Sequence, residues 1–166
     1  LERAVPRDLS AEETIARIKR FMPVMGITRV ATVTGLDVIG IPVVMVCRPN
    51  ARSVSVSQGK GIDLAAAKAS GLMETIESFH AERITLPLKL GRYEDLAYTH
   101  KLVDANEPPR LSDNRFTPFT PILWIEGYDL LGQCGVWVPY ELVHLDYTVP
   151  LPTGHGCFVA SSNGLA

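Results

Sequence analysis

The chain has 166 residues, of which 46% are hydrophobic and 20% are charged, and its formal net charge is −2. These values are typical of one ordinary globular domain with a substantial core. The near-neutral charge argues against a protein that binds nucleic acid by electrostatic attraction. No apolar run is long enough to cross a membrane, and no signal peptide is visible. The three cysteines are widely separated, which favours a reducing cytoplasm over a disulfide framework or a CxxC metal pair.

The N-terminal third of the chain begins with a helix and continues with β-rich segments. Ser10 and Glu13 have the spacing of a capping box, which predicts a helix that ends before Pro23. Three strands are predicted to follow, at residues 27–34, 41–47 and 53–57. Arg29 falls in the first strand, where a buried guanidinium would need a partner, either Asp37 across the hairpin or a phosphate group.

The remaining two thirds of the chain are predicted to contain one long helix and a second hairpin. The helix is expected over residues 63–83, with Asp63 as its N-cap. Residues 83–121 are polar and rich in proline, which predicts a surface excursion with one short helix at residues 93–98. The second hairpin is predicted from two β-rich segments, residues 122–130 and 133–139.

These elements predict an α/β (α+β) fold in which antiparallel sheets pack against a long amphipathic helix. We expect a single domain over residues 1–166. Leu1 is not an initiator methionine and no closing element precedes Ala166, so both ends look cut and the chain is predicted to continue.

The predicted long helix carries a polar edge. At 100° per residue, Ser70, Glu74 and Glu77 fall within about 60° of one another. The opposite arc is apolar and contains Ala65, Ala69, Leu72, Met73, Ile76 and Phe79. His80 also falls on this arc, so we expect a histidine in the core or at its edge rather than a ligand.

The polar edge has the chemistry of a metal site. Two carboxylates this close repel one another unless a positive charge lies between them, and such oxygen ligands suit Mg²⁺. Gly59-Lys60-Gly61 precedes the helix, and a glycine-flanked lysine is a usual means of holding phosphate at a helix N-terminus. The combination predicts a site for a nucleotide and its magnesium ion. The alternative for Glu74 and Glu77 is a solvated helix face, and Gly-Lys-Gly is shorter than a Walker A loop.

Five sets of residues, taken in order, resemble motifs of the YcaO family. They are Gly26-Ile-Thr-Arg-Val-Ala31, Thr34-Gly-Leu-Asp37 with Gly40-Ile-Pro-Val43, Ser55-Val-Ser-Gln-Gly-Lys-Gly61, Ser70-xxx-Glu74-xx-Glu77 and Ser162-Asn-Gly-Leu-Ala166. The match spans nearly the whole chain, and several motifs in register are more specific than any one of them.

The resemblance implies ATP-dependent phosphorylation of a peptide backbone amide oxygen, after which a nucleophile replaces that oxygen and phosphate departs. A Cys, Ser or Thr side chain of the substrate gives an azoline, and external sulfide gives a thioamide in members that act with a TfuA partner. The predicted ATP contacts are Arg7, Thr14, Lys60, Ser70 and Asn163, and the predicted Mg²⁺ ligands are Glu74 and Glu77. No catalytic residue beyond these is assigned.

Two departures from the family pattern affect this interpretation. Ser78 stands where the family often has arginine, so a cation must come from elsewhere. The family's second acidic helix should follow Asn163, so these residues are expected to carry only half of the ATP/Mg²⁺ site and to be inactive alone. The alternative function is a non-catalytic relative that recognises peptides or acts as an accessory protein.

The remaining expectations concern partners and single side chains. We expect a cytoplasmic homo-oligomer that binds a peptide or protein substrate, and neither nucleic acid nor a membrane. Cys47 lies in an apolar segment, which predicts a buried, inert thiol. His155 is expected to be a loop residue without a chemical role.

Overall fold

The computed structural model describes residues 9–36, 38–108, 110, 112, 116–150 and 156–159. These residues form two compact units, which meet along the sequence between His80 and Ala81. The elements in chain order are α1 (Ala11–Lys19), β1 (Arg29–Thr32), β2 (Val43–Cys47), β3 (Val56–Lys60), α2 (Leu64–Ala81), β4 (Leu88–Gly91), α3 (Tyr93–Ala97), β5 (Ile122–Asp129), β6 (Cys134–Pro139) and a 3₁₀ turn (Tyr140–Leu142). The predicted mixture of helices and antiparallel sheets is confirmed. No described helix combines the length and apolar character needed to cross a membrane.

The first unit begins with the predicted capped helix. The Ser10 hydroxyl accepts a hydrogen bond from the backbone N–H of Glu13 at 3.1 Å, and the Glu13 carboxylate accepts one from the N–H of Ser10 at 2.8 Å. This reciprocal arrangement satisfies two of the free donors at the start of α1 and confirms the predicted capping box.

The sheet of the first unit is antiparallel, with strand order β1-β2-β3. The register of β2 against β3 runs from Val43 opposite Lys60 to Cys47 opposite Val56. The third strand therefore lies three residues later than the predicted segment at 53–57. The alternating serines and valines of that segment resemble a strand, but the N–H of Arg48 donates to the carbonyl of Ser55, which closes the turn there.

The core of the first unit lies between this sheet and the two helices. Its buried members are Ile18, Ile27, Val44, Val46, Ala67 and Leu72. Strand β3 and helix α2 touch through glycines. A Cβ atom placed on Gly59 would lie 2.0 Å from the carbonyl oxygen of Ala67 and 2.2 Å from the backbone nitrogen of Gly71. Only glycine permits so close an approach of two backbones.

Helix α2 agrees closely with the predicted helix over 63–83. The carboxylate of Asp63 accepts the N–H of Ala66 at 2.7 Å, which confirms Asp63 as the N-cap. Leu72 is buried as predicted, but Met73 is 46% exposed, because the buried face is centred on the small residues that meet the sheet. The buried Thr75 hydroxyl donates to the carbonyl of Gly71 at 2.7 Å, which satisfies it within the helix.

The second unit contains the other antiparallel sheet, with strand order β4-β5-β6. The predicted hairpin of β5 and β6 is present, but β4 lies inside the segment that was predicted to be a surface excursion. Strand β4 pairs with β5, and the indole nitrogen of the fully buried Trp124 donates to the carbonyl of Gly91 at 3.0 Å. Trp124 packs in a core with Ala105, Ile122, Cys157 and Phe158.

Several single-residue predictions are wrong or lie outside the described residues. Arg29 is exposed on β1 and is not a buried guanidinium, and His80 is exposed at the end of α2 rather than in the core. Cys47 is only partly buried. Asp37 and His155 lie outside the described residues.

Candidate functional site

The polar edge of α2 is the candidate site. Ser70 is exposed, and Glu74 and Glu77 are each partly buried. The opposite face of the helix carries buried Leu72 and partly buried Ile76, which pack in the core of the first unit. The helical spacing therefore places the hydroxyl and the two carboxylates together on the side that the core leaves open.

The two glutamates are electrostatically coupled. Partial burial, and secondly the negative charge of Glu74, raise the pKa of Glu77 above its ordinary value of 4.5. Both causes disfavour the charged form of the Glu77 carboxyl. A cation bound between the two side chains would remove the repulsion, so the pair fits a hard divalent ion such as Mg²⁺.

The position after Glu77, where the family often has arginine, holds Ser78. Ser78 is buried, and its hydroxyl donates to the carbonyl of Glu74 at 3.1 Å. A cation does lie close to α2, because the buried Arg48 packs its guanidinium 5.3 Å from the ring centroid of Phe79. The sequence did not indicate Arg48 as a residue near the site, because it follows a strand and belongs to no helical or strand periodicity.

The glycine-flanked Lys60 is placed differently from the glutamates. Along β3 the buried residues are Ser57 and Gly59, whereas Gln58 and Lys60 are exposed. Because successive strand residues point to opposite faces, the Lys60 side chain leaves the face of the sheet away from α2. The start of α2 is also capped by the carboxylate of Asp63, which disfavours an anion at that helix end.

Of the remaining predicted nucleotide contacts, only Thr14 lies within the described residues. Thr14 lies on α1, and its hydroxyl donates to the carbonyl of Ser10 at 2.9 Å, so it is hydrogen-bonded within its own helix. Arg7 and Asn163 lie outside the described residues. The structure thus brings Ser70, Glu74 and Glu77 together, and it shows Thr14 on a different helix of the same unit.

The acidic pair does not form a complete metal site by itself. In the part of the chain that the structure describes, no three His, Cys, Asp or Glu side chains are grouped so that they could hold a metal ion. Magnesium usually retains several waters and binds one or two carboxylates together with substrate phosphates. Two glutamates and a nearby hydroxyl fit one side of such a shell.

Comparisons with known proteins identify the family. The family model of YcaO cyclodehydratases, described as ATP- and Mg²⁺-binding, matches residues 58–166. An uncharacterized protein from the tfuA 3′ region of Rhizobium leguminosarum bv. trifolii is 38% identical over 161 residues, which are 96% of this chain and 37% of that protein. This chain therefore spans little more than a third of the length of that relative.

Two solved structures share the fold. YcaO from Methanopyrus kandleri, bound with AMPPCP and Mg²⁺, matches with a TM-score of 0.58 and 24% identity, over 83% of this chain and 34% of that one. A heterocyclase in complex with substrate and cofactor matches with a TM-score of 0.70 and 22% identity, over 95% of this chain and 25% of that one. The predicted cofactors, ATP and Mg²⁺, are confirmed for the family. The order of motifs, the fold and the family model agree, and the chain belongs to the YcaO family.

Proposed function

We propose that this chain contributes one half of an ATP- and Mg²⁺-binding site to an enzyme that phosphorylates a peptide backbone amide. Phosphorylation of the amide oxygen makes it a leaving group, so that a nucleophile attacks the carbonyl carbon and inorganic phosphate departs with that oxygen. The observation that supports this proposal best is the coupled pair Glu74 and Glu77 on the open edge of α2.

Each proposed residue has a distinct task. Glu74 and Glu77 would hold the metal ion, and the exposed Ser70 hydroxyl, one helical turn before Glu74, would orient a phosphate oxygen or a metal-bound water. Bound magnesium would offset the negative charge of the phosphoryl oxygens during transfer. The further proposed ATP contacts are Arg7, Thr14, Lys60 and Asn163.

The packing of α2 against the sheet supports the proposal that Glu74 and Glu77 act by holding their charges in a fixed place. Phosphoryl transfer needs little covalent chemistry from the protein and depends on correctly placed charges. The backbone contact between Gly59 and Gly71 fixes α2 on the sheet one turn before Glu74. The carboxylates therefore project from a rigid element rather than from a loop.

The substrate and partner are proposed from the relatives. A heterocyclase with this fold was solved with its substrate, which supports a peptide substrate and azoline formation. A relative lies in the tfuA 3′ region, which supports thioamide formation with a TfuA-like partner. We further propose that the enzyme modifies ribosomally made peptides in the cytoplasm and acts as a homo-oligomer.

Because these residues carry only half of the proposed ligand set, we expect the isolated chain to bind Mg-ATP weakly and not to hydrolyse it. Isothermal titration calorimetry of the 166-residue chain with Mg-ATP measures this directly. A micromolar dissociation constant would show that Glu74, Glu77 and their neighbours suffice, and that a second half-site is not required.

The decisive test is Glu74→Gln in the complete enzyme. This change removes one charge and keeps the side-chain shape, so the melting temperature should stay nearly constant. ATP turnover, measured as phosphate release, should fall by about two orders of magnitude, which corresponds to a loss of about 3 kcal/mol of transition-state stabilisation.

The matched control is Glu107→Gln, which makes the same change at an exposed glutamate of the second unit and should leave turnover unchanged. Normal turnover in folded Glu74→Gln would mean that the acidic edge is only a solvated helix face. A wild-type protein that binds peptide and never releases phosphate would instead favour the non-catalytic, peptide-recognising alternative.

A further inference from the structure

The middle strand of the first unit is apolar on both of its faces. Strand β2 reads Val43-Val-Met-Val-Cys47, an unbroken apolar run. Val44 and Val46 are fully buried, and together with Val30 they are the strand side chains that pack in the core with α1 and α2. Antiparallel strands with one solvated face usually alternate apolar and polar residues, whereas strands covered on both faces are apolar throughout. The sequence of β2 is therefore that of a strand with a second cover.

The opposite face of this sheet, called the open face below, consists of the residues that alternate with these. Its apolar floor is formed by the partly exposed side chains of Ala31, Val43, Met45, Cys47 and Val56. Its charged members are Arg29 on β1 and Lys60 on β3, which are both exposed. The pairing register places these two cations at diagonally opposite corners, on either side of Met45. None of the three strands contains an acidic residue.

The size of the open face limits what covers it. Strands about 4.8 Å apart that rise about 3.3 Å per residue give three short strands a surface of roughly 250 Å². A stable dimer interface buries about 800 Å² on each partner, so a second copy of this chain needs more surface than the open face offers. One α-helix with its side chains is about 10 Å across and matches the width of this sheet. A helix is also the usual cover of an apolar sheet face in layered folds.

We propose that the open face binds one acidic amphipathic helix of a partner protein. The apolar stripe of that helix packs on Met45 and Cys47, and its carboxylates face Arg29 and Lys60. Two cations on a face whose strands lack acidic residues favour an acidic partner over a basic one. The stems of both cations extend the apolar floor while their charges stay at its rim. This binding requires neither ATP nor the proposed phosphorylation.

The test uses two synthetic helical peptides of about fourteen residues, which span about 21 Å. Both carry the same leucine stripe, and its flanks carry glutamate in one peptide and lysine in the other. Fluorescence anisotropy with the protein, without nucleotide, should show about tenfold tighter binding of the glutamate peptide.

Cys47 reports where the peptide binds, because its free thiol lies on the floor of the open face. The glutamate peptide should slow alkylation of Cys47 by iodoacetamide, as quantified by mass-spectrometric peptide mapping. The rate at Cys134, a partly buried free thiol of the second unit, should stay unchanged and serves as the internal reference.

Arg29→Glu is the diagnostic variant, since Lys60 is also a proposed ATP contact. It should weaken binding of the glutamate peptide by about fivefold and tighten binding of the lysine peptide, a reversal that a misfolded protein would not show. The matched control is Arg17→Glu, the same change at an exposed arginine of α1, which packs on the other side of the sheet. It should change neither affinity.

Equal affinities for the two peptides, or no binding of either, would overturn the proposal. An alkylation rate at Cys47 that bound peptide leaves unchanged would place the peptide elsewhere and would also overturn it. A wild-type dimer in light scattering that Met45→Lys converts to a monomer would assign the open face to a second copy instead. Full protection of Cys47 in the complete enzyme without peptide would assign it to another segment of the same polypeptide.

Discussion

The two units of this chain place their carboxylates in opposite environments. Glu74 and Glu77 share an open helix edge, where partial burial and the charge of Glu74 raise the pKa of Glu77. Glu141 is buried and accepts two backbone N–H groups through one oxygen. The acidic edge of α2 leaves its charge available to a ligand. The hydrogen bonds of Glu141 instead hold the backbone at Cys157 and Phe158 in place. Removing a carboxylate should therefore change activity in one unit and stability in the other.

The contact that supports the acidic edge should show the largest effect. Gly59→Ala places a Cβ atom 2.0 Å from the carbonyl oxygen of Ala67, so strand β3 and helix α2 must separate. We expect the free energy of unfolding to fall by about 3 kcal/mol or more, as measured by urea denaturation.

The control for this substitution is Gly127→Ala on β5, where the nearest atom to an added Cβ atom is the carbonyl oxygen of Val136 at 3.6 Å. Ordinary van der Waals contact there predicts a much smaller change. Similar unfolding curves for the two variants would contradict the close backbone contact in the first unit.

Truncation of one glutamate in each unit tests the comparison directly. Glu141→Ala leaves the N–H groups of Cys157 and Phe158 without their acceptor, so stability should fall by about 2 kcal/mol. The Glu74 side chain makes no hydrogen bond within the described part of the chain, so Glu74→Ala should change stability by less than about 0.5 kcal/mol. Urea denaturation of both variants at neutral pH measures the two values, and a larger loss for Glu74→Ala would reverse the assignment of roles.

The smallest effect is a gain in stability from Glu77→Gln. Because folding raises the pKa of Glu77, its ionisation destabilises the folded state once the pH exceeds the ordinary value of 4.5. Without a bound metal, the variant should be more stable than the wild type by up to about 0.5 kcal/mol at pH 7. The gain should disappear below pH 4.5, where the carboxyl is protonated in both states. Thermal melts at pH 7 and pH 4 measure it, and an equal gain at both values would exclude the charge as its cause.

Much of the first unit could be predicted because its signals are local. The capping box of α1 and the Asp63 cap of α2 depend on residues three positions apart, and the spacing of Glu74 and Glu77 follows from helix geometry. The expected phosphate site at the start of α2 stays a prediction. The carboxylate of Asp63, which caps that helix start, disfavours an anion there.

The parts that could not be predicted depend on contacts distant in sequence. Strand β4 is four residues long and follows Pro87, and it becomes a strand because β5, more than thirty residues later, pairs with it. Met73 is exposed because the small residues of α2, and not its largest ones, meet the sheet. The hydrogen bonds of Glu141 likewise require the 3₁₀ turn and the segment of Cys157 and Phe158 to meet in three dimensions.

The contact of Gly59 with Gly71 also determines the axial position of the candidate site. Each residue advances a helix by about 1.5 Å, so a slip of α2 by one residue would bring Ser70 or Leu72 against Gly59 and introduce a side chain where none fits. Sliding in either direction is blocked by excluded volume rather than by a bond. The axial position of the α2 backbone that carries Glu74 and Glu77 is therefore set by excluded volume, and substitutions in the apolar core should lower the melting temperature before they shift that backbone along the sheet.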